Sequence, residues 1–185
     1  VLVGCSHVTS TYADAPASTS LNQDTFKEQR QIYLKAAKAW DDKRLTEYHA
    51  LTKQIPNYPL IPYLEYQELV GRLYQLPYAE VDQFGIRYPD SFLAERLTHR
   101  WLRVLAQREQ WKDYLTYYDK RLSDPELQCF HVNARLKTGD KTALSDVAPL
   151  WNIEKAQVKA CDEPFAQWRQ AGMMTSDLIW SRHLK

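Results

Sequence analysis

Apolar positions recur along most of the chain at intervals of three and four, the period of one face of an α-helix. The densest stretch is Tyr58-Pro59-Leu60-Ile61-Pro62-Tyr63-Leu64-Glu65-Tyr66-Gln67-Glu68. Its prolines suit the first turn of a helix, where the missing N–H has no intrahelical partner. A residue before proline is pushed out of the α region. Asn57-Tyr58 therefore ends one element, and a helix is predicted over about 59–73. Tyr63, Tyr66, Val70 and Leu73 share one face of it, while Leu60, Ile61, Leu64 and Leu69 fall partly outside. So wide an apolar sector needs neighbours on two sides. A helical array supplies them; a buried helix of an ordinary bundle fits the same pattern.

The rest of the chain reads the same way. Thr25 and Glu28 fit a capping box, followed by Ile32, Ala36, Ala39 and Trp40 on one face. Asp41-Asp42 breaks the pattern. Leu45, Tyr48 and Leu51 give a second helix, ended at Pro56. A short helix over 77–84 carries Tyr78, Val81 and Phe84. Asp90-Ser91 offers an N-cap to a helix with Leu93, Leu97, Trp101 and Leu105 at intervals of four. Trp111, Tyr114, Leu115 and Tyr118 form its partner. Ser123 and Glu126 make another capping box, with Pro125 in the first turn. Leu127, Phe130 and Ala134 lead to Gly139, a C-terminal cap. Asp140 restarts a helix through Leu144, Val147, Ala148 and Trp151. Further helices open at Asp162-Glu163-Pro164 and at Thr175.

Helices thus come in pairs, with breaks near residues 57, 88, 121 and 153. Tyr58, Tyr88 and Tyr118 stand at equal intervals of 30. A helix-pair repeat of about 30 to 33 residues predicts an all-α solenoid of antiparallel helix pairs, TPR-like in architecture only. A non-repeating bundle is the alternative. The last helix runs to Lys185 without a stop signal or a polar capping repeat, so the chain is expected to be part of a longer protein.

Composition narrows the function. Twelve Tyr, six Trp and only five Gly favour packed helices. A net charge of +1 provides no field to draw nucleic acid, and no apolar run is long enough to span a membrane. No nucleophile elbow, phosphate loop or H-E-x-x-H occurs, and the five histidines are scattered. No catalytic residue, metal ligand or cofactor site is therefore assigned. Glu65 and Glu68 lie one turn apart beside aromatics, but such a pair on a helix flank is ordinarily solvated. Trp101, Trp111, Trp151 and Trp168 read as core.

Residues 1–24 are expected to be a tail or processing remnant ahead of a folded region over 25–185. Leu2-Val3-Gly4-Cys5 has the form of a lipobox, which would place a lipid on Cys5 and anchor the protein to the outer membrane. Ala13-Asp14-Ala15 and Ala15-Pro16-Ala17 are small-x-small patterns of signal-peptide cleavage. Both readings stay open, and both imply export. Cys129 and Cys161 match no zinc spacing. Oxidation of an exported chain would permit a bridge between them; two separate buried thiols are the other possibility.

The run Tyr58 to Gln67 resembles the start of the helical superhelix in soluble lytic murein transglycosylases. Other runs resemble that family in the same order: Leu127-Gln128-Cys129, Thr138-Gly139, Leu150-Trp151, Ala160-Cys161-Asp162, Phe165, Trp168-Arg169 and Gly172. The resemblance spans about residues 22–185 and departs at the Cys5 lipobox. It implies a disulfide between Cys129 and Cys161. It also implies a right-handed superhelix of paired helices, the N-terminal part of a ring-shaped domain closed by downstream linker and catalytic domains. Such enzymes act in the periplasm on peptidoglycan glycan strands. They cleave between N-acetylmuramic acid and N-acetylglucosamine and leave a 1,6-anhydro end, with a glutamate of a lysozyme-like domain as the acid. On this reading the chain is a non-catalytic scaffold. An exported TPR-like adaptor that binds another protein is the rival; a self-contained enzyme is weakest, for want of a site.

Overall fold

The computed structural model describes residues 20–153 and 158–183, with side chains over 26–153 and 158–180. All regular elements among them are helical. The chain divides into two compact units after Leu64.

In the first unit α1 (Ser20–Asp41) and α2 (Leu45–Thr52) pack as an antiparallel pair. Lys43 in the turn between them takes a left-handed φ of 61°. Ala36 and Ala39 are fully buried, because only small side chains let the pair approach closely. The Tyr48 ring packs on Trp40, and its hydroxyl donates to the Leu64 carbonyl, 3.0 Å away. Helix α1 begins five residues before Thr25, so Thr25 lies inside the helix and cannot cap it. No proline or glycine separates Ser20 from Thr25, and nothing stops the helix from extending back. Residues 1–19, with Cys5 and both cleavage patterns, lie outside the described residues.

Helix α3 (Ile61–Gly71) opens two residues later than expected; Pro62 occupies its first turn, while Pro59 and Leu60 belong to the preceding turn. Ile61, Leu64 and Leu69 are buried, whereas Tyr63 is exposed and Tyr66, Val70 and Leu73 are half-buried. The aliphatic stripe, not the Tyr63 face, turns inward. An almost continuously apolar helix offers both registers, and branched aliphatics pack the tighter one.

The second unit continues through a 3₁₀ turn (Leu73–Gln75), α4 (Tyr78–Arg87), α5 (Phe92–Gln107), α6 (Trp111–Tyr117) and α7 (Pro125–Lys137). A 3₁₀ segment (Lys141–Asp146), α8 (Val147–Trp151), a 3₁₀ turn (Lys159–Cys161), α9 (Asp162–Gln170) and α10 (Ser176–His183) complete it. Each helix from α4 to α7 packs on the next, and α5 also touches α7. Leu93, Leu97, Trp101 and Leu105 of α5 are all buried, as their spacing predicts. Ser91 caps α5 by accepting from the Leu93 amide. The α7 cap differs from expectation: Asp124, not Ser123, accepts from the Glu126 and Leu127 amides. Gly139 ends α7 with φ 96°. The helix expected over 140–151 is broken into a 3₁₀ piece and α8, because Pro149 in mid-helix would clash with the carbonyl four residues back.

Two apolar clusters fill this unit. One joins Leu69, Leu97, Trp101, Tyr114, Leu127 and their neighbours. The other joins Cys129, Val132, Val147, Cys161, Phe165 and Trp168. Helix α7 contributes to both, through Leu127 and Ala134 to the first and through Cys129, Val132 and Leu136 to the second. Trp101 and Trp168 are buried as expected, while Trp111 and Trp151 are only half-buried.

Candidate functional site

Leu76-Pro77 shapes an aromatic-lined cleft of the second unit. Proline holds Leu76 extended, which ends the 3₁₀ turn and starts α4. Tyr74 is left pointing outward at 60% exposure, and Tyr78 points toward α5 and α6. Trp101 of α5 donates its indole N–H to the Leu76 carbonyl at 2.8 Å. The Tyr78 and Tyr117 rings stack with centroids 3.9 Å apart, and both lie against Trp101. The Tyr74 hydroxyl donates to Gln107 Oε1 at 2.8 Å, and Arg108 donates to the Tyr74 carbonyl at 2.9 Å. Gln110 and Asp113, from the start of α6, complete the rim of an open cleft of about 470 Å³. Burial, then the nearby Asp82, pushes the Tyr78 phenol up, so it stays a protonated donor. The cleft has an aromatic floor and a mixed rim of amide, carboxylate and guanidinium, suited to holding a ligand by contact and hydrogen bonding.

Proton donation to a glycosidic oxygen requires a carboxyl held above its ordinary range. The displaced carboxyls among the described residues move the other way. Hydrogen bonds from Arg72 hold Glu80 down, and one from Thr142, with Arg135, does the same to Asp140. Burial raises Asp124, but the Leu127 amide and Arg103 outweigh it. Arg103 bridges Asp124 and Glu126 at 2.7 and 2.5 Å. Glu65 is paired with Arg87 at 2.7 Å, and Glu68 lies within the field of Arg72. The structure thus pairs Glu65 with an arginine, while the arginine near Glu68 is bonded to Glu80.

His131 stacks on Tyr118 with centroids 4.3 Å apart. Burial, then Arg135 and Lys120, pull its pKa below the ordinary value. His99 Nε2 stands 3.6 Å from Glu95, beyond direct hydrogen-bonding distance. No group of three metal-ligating side chains occurs among the described residues.

Cys129 and Cys161 are joined in a disulfide with Cα atoms 4.9 Å apart, within the range that unstrained backbones reach. It ties α7 to the start of α9, and both cysteines are buried in the second cluster. Cys5 lies outside the described residues. Sequence reading missed the aromatic cleft, since Tyr74, Tyr78, Trp101 and Tyr117 share no helical period; the Leu76-Pro77 break is its one local signal.

Paired antiparallel helices, a covalent tie between two of them and an open cleft place the chain among all-α helical-repeat scaffolds. No family model matches it. It is 33% identical over 150 residues to the soluble lytic murein transglycosylase of Salmonella typhimurium, covering 80% of this chain and 23% of the relative. It is 31% identical over 156 residues to the Escherichia coli K12 protein of the same name, covering 84% and 24%. The crystal structure of the 70 kDa soluble lytic transglycosylase of Escherichia coli superposes with a TM-score of 0.76 at 30% identity, over 85% of this chain and 26% of that one. A 70-kDa soluble lytic transglycosylase in complex with bulgecin A superposes with the same TM-score of 0.76 at 30% identity, over 85% of this chain and 26% of that one. An inactive mutant of the lytic transglycosylase Slt from Pseudomonas aeruginosa superposes at 0.70 with 35% identity. The chain spans about a quarter of these relatives. Over that span it is a homologue of the soluble lytic murein transglycosylases.

Proposed function

We propose that the chain is the non-catalytic N-terminal scaffold of a lytic transglycosylase that acts on murein in the periplasm. The whole enzyme would cleave the β-1,4 bond between N-acetylmuramic acid and N-acetylglucosamine and leave a 1,6-anhydro end. The helical segment would determine which glycan strands reach the catalytic domain, and downstream linker and catalytic domains would be its covalent partners. The observation that carries this reading is homology over more than four-fifths of the chain to one quarter of such enzymes. A lipid on Cys5, tying the enzyme to the outer membrane, is part of the proposal; mass spectrometry of the native N-terminus tests it. No observation of comparable weight favours the adaptor reading.

The decisive experiment compares the intact enzyme with a version lacking residues 22–185. The proposal expects an altered distribution of strand lengths among the products and fails if both digest all strands alike. A murein zymogram of the 185-residue chain alone should stay blank; a cleared band would place an acid within it.

A further inference from the structure

We propose that the cleft between the 3₁₀ turn (Leu73–Gln75), α5 and α6 is a subsite for a neutral pyranose of a glycan strand, with Tyr74 as its stacking platform. The proposal rests on the scaffold reading and names the sugar-holding surface within it. Tyr74 is the first reason. A large ring at 60% exposure forfeits apolar burial, and an idle surface tyrosine is ordinarily left free to rotate. Here the phenol is tied to Gln107 and the backbone of the same residue to Arg108. Both ends of Tyr74 are fixed while its ring stays open, the preorganisation a stacking contact needs.

The rim is the second reason. A pyranose has an apolar C–H face and an equatorial belt of hydroxyls. The belt needs donors and acceptors together, and Gln110, Asp113 and Arg108 supply both kinds within one cleft. Arg108 spends one donor on the Tyr74 carbonyl and has others to give. One cation and one anion on the rim leave no net charge to select an ionic ligand. The volume, about 470 Å³, lies in the range of small-ligand sites, and the open mouth suits a unit within a strand rather than an enclosed metabolite.

The test uses the 185-residue chain and the β-1,4-linked hexamer of N-acetylglucosamine, followed by NMR at the Trp101 indole N–H. The expected result is a saturable shift of that signal, with binding at least tenfold weaker for Tyr74→Ala and severalfold weaker for Asp113→Asn. Both side chains are exposed, and circular dichroism should show the fold unchanged. Equal binding by wild type and Tyr74→Ala, or no shift at millimolar sugar, overturns the subsite. Sedimentation with murein sacculi separates this failure from failure of the scaffold reading. Equal co-sedimentation of wild type and Tyr74→Ala without hexamer binding would mean that another surface, reading the peptide stems, holds murein. The subsite would then be wrong, while the scaffold reading would stand or fall on the deletion experiment alone.

Discussion

Two buried phenols do the same work in the two units. Tyr48 of α2 donates to the Leu64 carbonyl, and Tyr114 of α6 donates to the Leu127 carbonyl at 2.7 Å. In each case the second helix of a pair is bonded to the backbone of the helix that follows. Removing the hydroxyl leaves the ring packing intact, so Tyr114→Phe should lower stability by about 1–2 kcal/mol in urea unfolding. His131 gives a pH dependence. Its folded pKa lies below the unfolded value, because burial and then Arg135 and Lys120 oppose its charge, with Asp146 acting weakly the other way. Above the unfolded value, about 6.5, both states hold it neutral and no stability is lost. As pH falls below that value, the unfolded chain takes up a proton that the folded chain resists, and stability declines through the folded pKa. Between pH 7 and 5 the thermal midpoint of the wild type should therefore fall more steeply than that of His131→Gln.

At the scale of elements, the turns and caps decide what sequence reveals. Helix α5 was legible because Leu93, Leu97, Trp101 and Leu105 mark a clean inward stripe. Helix α7 was harder: its two faces feed two clusters, so apolar residues surround it and the period blurs. Proline at its first helical position assigns the cap to Asp124 rather than Ser123. Asp124 also meets Arg103, so Asp124→Ala should destabilise by at least the 1–2 kcal/mol of an N-cap, with differential scanning calorimetry as the check. The tight turn before α6 places Glu109 at φ 54°, a left-handed conformation that asparagine tolerates better. Glu109→Asn should stabilise by about 1 kcal/mol, visible as a raised urea midpoint. No sequence period announces such a residue, since its strain comes from closing α5 onto α6.

For the molecule as a whole, the sequence made the helix pairs legible and left the cleft hidden. Tyr74 and Tyr117 stand 43 residues apart, and only packing brings their segments together. The disulfide closes a separation of 32 residues, so the Cys129→Ser, Cys161→Ser double variant should lose about 3–4 kcal/mol by the loop-closure estimate. Hydrogen exchange should localise that loss to α7–α10 and spare α4–α6. The burial of both sulfurs has a kinetic corollary. A cavity of about 340 Å³ leads to the bond past Leu150, Val158 and Phe165, and such apolar walls disfavour a charged visitor. Neutral dithiothreitol should therefore cleave the bond faster than anionic glutathione by more than their reactivity toward a small open disulfide would give, making the bond a gauge of the polarity of that passage.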